Sequence, residues 1–181
     1  MLFIWTAFQK LFAAFWFRLA PEVRVDTSNT ANTDVISYLR RNSSERARWF
    51  LDYYIRTHYP ATHSDLDEQI EKLEKRLPKK CRGTAFGYGV LIHPKTGVIF
   101  AVGSHLTFVL RLPVNVRLEA LTSGASEVIN FEGSRFPPYH PPSRFHASEF
   151  GMDWVFIDAW GTQNPTDGWV KAAYQYASEL T

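Results

Sequence analysis

The chain has 181 residues, of which 45% are hydrophobic, 21% charged and 15% aromatic. That composition excludes a disordered chain and fits one globular domain with an appendage. Net charge is +2 but uneven: residues 1–102 carry 15 Lys/Arg against 10 Asp/Glu, and residues 103–181 carry 5 against 8. A weakly basic first half suits nucleic acid or anionic lipid, and equally an ordinary mixed solvated surface.

Residues 1–20 read MLFIWTAFQKLFAAFWFRLA, with seven Phe or Trp and only Lys10 and Arg18 charged. The apolar start and late arginine do not match a cleaved signal peptide. Lys10 falls mid-way in a stretch barely long enough to span a bilayer. Three readings stay open: an interfacial helix with Lys10 and Arg18 snorkelling, a helix packed on the domain or on another subunit, and a spanning or signal segment. So apolar a surface would aggregate if nothing covered it.

Pro21 ends this stretch, and DTSNTANT (26–33) is a polar loop rich in capping residues. Thr33 or Asp34 is the expected cap of a short helix through Val35, Ile36, Tyr38 and Leu39. A second helix starts at Ser43 or Ser44 and carries Ala47, Phe50, Leu51, Tyr54 and Ile55 at helical spacing, stopped by Pro60. Arg40, Arg41, Arg46 and Arg48 crowd its entrance and are candidates for phosphate contacts. Ser64 caps a third helix with Leu66, Ile70, Leu73 and Leu77 on one face, ended by Pro78.

The period then changes from helical to strand-like. Strands are expected at Thr84–His93, Val98–Val102 and Leu106–Leu112, an antiparallel meander with a turn at Pro94–Gly97. Gly87 and Gly89 point to a bulge or a close backbone approach in the first strand. Pro113 opens a short helix that Gly124 closes. A strand follows at Val128–Phe131, then a long ordered loop over residues 133–149, and a last strand at Trp154–Ile157. Asn164 or Thr166 caps a C-terminal helix carrying Trp169, Val170, Ala173, Tyr174 and Ala177.

The expected class is therefore α+β: an antiparallel β-sheet meander flanked by helices, preceded by N-terminal helices. Its parts are an apolar aromatic-rich helix (1–20), a helical extension (21–62) and the α+β domain (63–181).

The segments GTAFGYGVLIHPKTGVIFAVGSHLTFVLRLP and DWVFIDAWGTQNPTDGWVKAAYQYASEL resemble the TfoX N-terminal domain-like and MmcQ/YjbR-like families over about residues 65–181. The likeness lies in element order, apolar pattern and the Ala173, Tyr174, Ala177 set of the last helix. The chain departs from those families at Gly87-Tyr88-Gly89 and in the Pro-rich stretch from Phe136 to Pro142. The resemblance implies a compact sheet-and-helix domain, and some members are linked to competence regulation or to proposed nucleic-acid binding. It implies no catalytic residue set.

Two groups of residues carry chemistry. Lys72, Lys75, Arg76, Lys79, Lys80 and Arg82 form a basic junction suited to nucleic acid or another anion, although cations at a helix C-terminus also complement its dipole. Arg135, Phe136, Tyr139, His140, Arg144 and His146 combine aromatic faces, guanidinium groups and imidazoles in a Pro-stiffened loop, a set suited to anionic or planar groups. His146 and Glu149 would share a helix face at i,i+3, and with His140 and Asp153 they offer an acid–base or metal alternative. That spacing matches no named metal motif, and no glycine-flanked serine or other clear nucleophile accompanies it. Cys81, the single cysteine, sits among Lys79, Lys80 and Arg82, which would favour a thiolate.

The expectation is a non-enzymatic binding or regulatory domain that contacts nucleic acid or a protein partner, without a cofactor or an identifiable small-molecule ligand. Residues 1–20 would contact a membrane surface or an oligomer. A chain with one cysteine fits a reducing compartment such as the cytoplasm.

Overall fold

The structure is a computed structural model and describes residues 24–42, 75, 77, 80–86, 88–104, 107–131, 142–158 and 167–181. The expectations for residues 1–20, for the second helix and for most of the third lie outside the described residues.

Five strands form one antiparallel sheet: β1 (Arg82–Ala85), β2 (Tyr88–Ile92), β3 (Ile99–Ser104), β4 (Thr107–Arg111) and β7 (Trp154–Asp158), in that spatial order. Strands β5 (Val128–Phe131) and β6 (Ser143–His146) pair as a separate ribbon. Helix α1 covers residues 33–42, α2 is Val114–Thr122 and α3 is Asp167–Glu179. The α+β class is as expected from the sequence.

Both faces of the sheet are covered. Leu91, Leu110, Val155 and Ile157 pack with Trp169, Val170, Ala173 and Ala177 of α3 and with Ala120 of α2. Val90, Val109, Trp154 and Phe156 pack with Val35, Ile36, Tyr38 and Leu39 of α1 and with Ala147 and Phe150. Double burial explains why GVLI and GVIFAV read as continuous apolar runs rather than alternating ones. Phe150 centres the α1-side core, with ring centroids 4.1 Å from Tyr38, 5.7 Å from Trp154 and 6.1 Å from Phe156.

The single strand expected over Thr84–His93 is in fact a hairpin. Ala85 pairs with Tyr88, so a two-residue connection reverses the chain, and Phe86 takes a φ of 51° there. The irregularity anticipated at the glycines lies further on. Leu91 pairs with Ala101 but Ile92 pairs with Ile99, which leaves Phe100 as the extra residue of a bulge. The bulge puts the neighbours Phe100 and Ala101 into the same α3-side core, an arrangement that strict alternation forbids.

The start of α1 also differs from expectation. Its entry is a 3₁₀ turn, Thr30–Asn32, capped by Asn29, whose Oδ1 accepts from the Ala31 N–H at 2.9 Å. Asn32 is fully buried: its Nδ2 donates to the Asp26 carbonyl at 2.7 Å and the Gly97 carbonyl at 3.0 Å, and its Oδ1 accepts from Ile99 N–H at 2.9 Å. One side chain thus ties the N-terminal segment to the β2–β3 turn and to the first residue of β3. Helix α2 starts after Pro113 as expected, and Gly124 follows it at a φ of 105°.

Residues 142–149 are not all loop. In β6, Phe145 pairs with Ile129 and both pack against the α1-side core, while Arg144 and His146 are exposed. Ala147–Glu149 is a 3₁₀ turn rather than part of a longer helix. A single inward apolar residue is too faint a signal for a strand, which needs its partner to become visible.

Candidate nucleic-acid interface

The end of α1 brings Arg40 to the tip of the β1–β2 hairpin and Arg41 to Glu149. The guanidinium carbon of Arg40 lies 5.4 Å from the Phe86 ring centroid. That of Arg41 lies 5.8 Å from the Tyr38 ring, and its Nη2 is 3.5 Å from Glu149 Oε2. Phe86 is 37% exposed at the turn. A φ near 50° costs a bulky side chain about 1–2 kcal/mol, where glycine or asparagine would sit without strain. The fold thus displays an aromatic ring at a position whose backbone disfavours one.

The β5–β6 ribbon joins the same side of the domain through Glu149. One carboxylate oxygen meets Arg41, and the other accepts from the His146 backbone N–H at 3.2 Å. The His146 side chain in turn accepts from the Glu149 backbone N–H, closing a capping box. Arg144 and His146 both face away from the core along the ribbon, opposite in sense to Phe145. Arg40, Arg41 and Phe86 therefore lie on the α1 side of the sheet, and Arg144 and His146 are exposed on the neighbouring ribbon.

Of the basic junction, Lys72, Arg76 and Lys79 lie outside the described residues, while Lys75, Lys80 and Arg82 are exposed. Arg82 pairs with Leu91, whose side chain belongs to the α3-side core. Directly paired residues point to the same face, so Arg82 lies across the sheet from the α1 arginines. Arg135, Phe136, Tyr139 and His140 lie outside the described residues. Cys81 is fully buried in the α3-side core, which removes it from solvent and from any substrate. Among the described residues no group of three or more His, Cys, Asp or Glu is placed to hold a metal ion. Likewise, no helix among them is long and apolar enough to cross a membrane.

A second polar constellation was not anticipated. Arg111, the last residue of β4, is a buried cation with 3% of its side chain exposed. Its Nε is 3.1 Å from Asp153 Oδ2, and its Nη2 donates to the Ala31 carbonyl. Asp153 also takes a hydrogen bond from Tyr176 of α3. Burial pulls the Arg111 pKa down, and the Asp153 carboxylate opposes that. Burial and the nearby Asp153 charge push the Tyr176 hydroxyl up. The one sequence signal for this cluster was a charge closing the apolar run FVLR. Asp153 is thereby engaged by Arg111 and Tyr176.

Buried polar contacts elsewhere serve the turn before β3. His93 Nδ1 accepts from the Thr96 N–H at 3.3 Å, and Thr96 Oγ1 donates to the Ala177 carbonyl of α3 at 2.8 Å. The His93 ring meets Tyr174 edge-on at 4.7 Å.

Comparison of the chain with protein-family models, with curated proteins and with solved structures finds no match.

Proposed function

We propose that this domain is a non-catalytic binding module that takes single-stranded nucleic acid across its α1 side. The observation that carries the reading is Phe86, held at a φ of 51° on a hairpin tip with the Arg40 guanidinium 5.4 Å from its ring. An exposed aromatic beside guanidinium groups offers a stacking platform for a base and charged donors for the adjoining phosphates. Arg41 and Arg144 extend the cationic surface, and His146 supplies a further donor. An exposed aromatic with flanking guanidinium groups suits unpaired bases, which can stack on it, better than the closed stack of a duplex. The reading accords with the resemblance to the TfoX N-terminal domain-like and MmcQ/YjbR-like families, which rests on the meander, the following helix, the closing strand and the C-terminal helix.

The test is anisotropy of a labelled twelve-nucleotide DNA or RNA strand with the full chain, titrated over a range of salt. Three phosphate contacts give a log–log salt slope of about −2 for a single strand. Replacing Arg40, Arg41 and Arg144 with Ala should flatten that slope and weaken binding, whereas Lys80→Ala with Arg82→Ala should change it little. Absence of binding at low salt, or equal affinity for duplex, would sink the reading. Loss confined to the Lys80/Arg82 variant would move the interface to the opposite face.

A further inference from the structure

Four large apolar side chains are exposed among the described residues: Phe86, Val114, Leu118 and Met152. Strand direction separates the first from the other three. The β1–β2 turn that carries Phe86 lies at one end of the sheet, together with the turn from Ser104 to Thr107. The turn from His93 to Val98, the end of β4 and the start of β7 lie at the other end, since Ile92 pairs with Ile99 and Arg111 with Trp154. Leu112 N–H donates to the Asp153 carbonyl at 2.8 Å, which brings Met152 beside the start of α2. Val114 and Leu118, four residues apart, share one face of that helix. They are 72% and 57% exposed, and Met152 is 80% exposed.

The chain enters the fold at this same end. Asp26 N–H donates to the Gly97 carbonyl, so Arg24 and Val25 lie close to the β2–β3 turn. Only three residues separate Arg24 from Ala20, the last of the twenty that hold seven Phe or Trp. That connection reaches at most about 14 Å, so the apolar stretch begins close to the exposed face of α2.

We propose that this end of the domain rests on a lipid bilayer, with Val114, Leu118 and Met152 entering the interface beside residues 1–20. Three features select lipid over other covers. Trp5, Trp16, Lys10 and Arg18 are residue types that suit an interface, with rings at the headgroup level and cations reaching to water. The nine residues of α2 make a helix of about 14 Å, too short to cover twenty apolar residues, which would span about 30 Å as a helix. Three side chains also fall short of the roughly 800 Å² per partner that a stable contact with a second copy needs, whereas entry into lipid requires no complementary surface. Charge contributes little. Arg24 and Lys95 at this end are matched by Asp26 and by Glu179 at the end of α3, all exposed. The contact is therefore apolar, and it leaves the Phe86 end turned away from the membrane.

The test is flotation of the full chain with vesicles of phosphatidylcholine, alone and mixed with phosphatidylserine. Binding should be alike on both and should survive high salt, unlike contacts to phosphates. Val114→Thr, Leu118→Gln and Met152→Gln together preserve charge and approximate volume, and should weaken partition about tenfold with little change in melting temperature. The single native cysteine is buried, so a solvent-sensitive dye can be placed on Leu118→Cys alone. That dye should brighten with vesicles, and one on Phe86→Cys, at the far end, should not. Flotation that the triple variant leaves unchanged, with the Leu118 dye dark, would overturn the proposal and leave residues 1–20 as the sole anchor. Absence of flotation on either lipid would overturn it as well. A Leu118 dye that brightens without vesicles, as protein concentration rises and a dimer forms, would instead assign the face to a second copy.

Discussion

Arg111 faces Trp154 across the β4–β7 pair, and its guanidinium carbon lies 4.9 Å from the indole centroid while its Nε lies 3.1 Å from Asp153 Oδ2. The same guanidinium donates to the Ala31 carbonyl. It therefore links β4, the turn before β7 and the entry to α1. A buried cation held this way is costly to orphan, because removing its carboxylate leaves an unpaired charge in a low-dielectric interior. Asp153→Ala should destabilise the domain by about 3–5 kcal/mol, read from chemical denaturation. An uncharged pair of similar volume at both positions, Arg111→Met with Asp153→Leu, should recover much of that loss.

Asn32 gives a second stability prediction. It satisfies two carbonyls and one N–H on two separate stretches of chain, at Asp26 and at Gly97–Ile99, while fully buried. Asn32→Ala strands the Ile99 N–H and the Asp26 carbonyl, while the Gly97 carbonyl keeps the Asp26 N–H, at a cost of about 2–3 kcal/mol. Hydrogen exchange should show the loss first at the Ile99 amide and in residues 26–32. Uniform loss across the sheet with the N-terminal segment still protected would contradict the role given to this side chain.

Gly97 is constrained in the same neighbourhood. At a φ of 64°, a Cβ there would stand 2.5 Å from the Cβ of Asp26 and 2.6 Å from its backbone nitrogen. The Asp26 N–H also donates to the Gly97 carbonyl at 3.0 Å. Gly97→Ala combines left-handed strain with a backbone clash, so its melting temperature should fall, with a cost of about 2 kcal/mol or more.

Phe86 should behave in the opposite way. Phe86→Gly relieves a left-handed aromatic and should stabilise the domain by up to about 1 kcal/mol. If the hairpin tip stacks on a base, the same change should weaken single-strand binding by about 1–3 kcal/mol, measured by anisotropy. A variant that gains stability and keeps its affinity would remove Phe86 from the interface.

The pH dependence should be marked on the alkaline side. The Tyr176 pKa is raised by burial and by Asp153, so the folded state holds the phenolic proton more tightly than the unfolded chain does. That contribution is whole below the unfolded value of about 10 and is lost as pH rises through the higher folded value. Tyr176→Phe should flatten the fall in melting temperature above about pH 10. Asp26 acts at the other end. Hydrogen bonds from the Ser28 side chain and backbone lower its pKa, so its contribution is present above about pH 4 and is lost as pH falls through the folded value.

Local chemistry alone determined much of this protein. The short apolar runs at Val98–Val102, Leu106–Leu112 and Trp154–Ile157, bounded by turn residues, read as strands. Trp169, Val170, Ala173 and Ala177 recur at helical spacing and enter the core as that spacing dictates. Pro113 and Gly124 bracket α2 because one cannot continue a helix backwards and the other tolerates a positive φ. What needed the tertiary structure was everything decided by a partner distant in sequence. The hairpin at Phe86, the bulge at Phe100 and the strand at Phe145 depend on register, which is a property of two strands and not of one. Arg111 reads in sequence as a surface charge at a strand end. Only the fold places Asp153, Tyr176 and the Ala31 carbonyl around it, and burial then turns an ordinary arginine into the centre of a polar cluster.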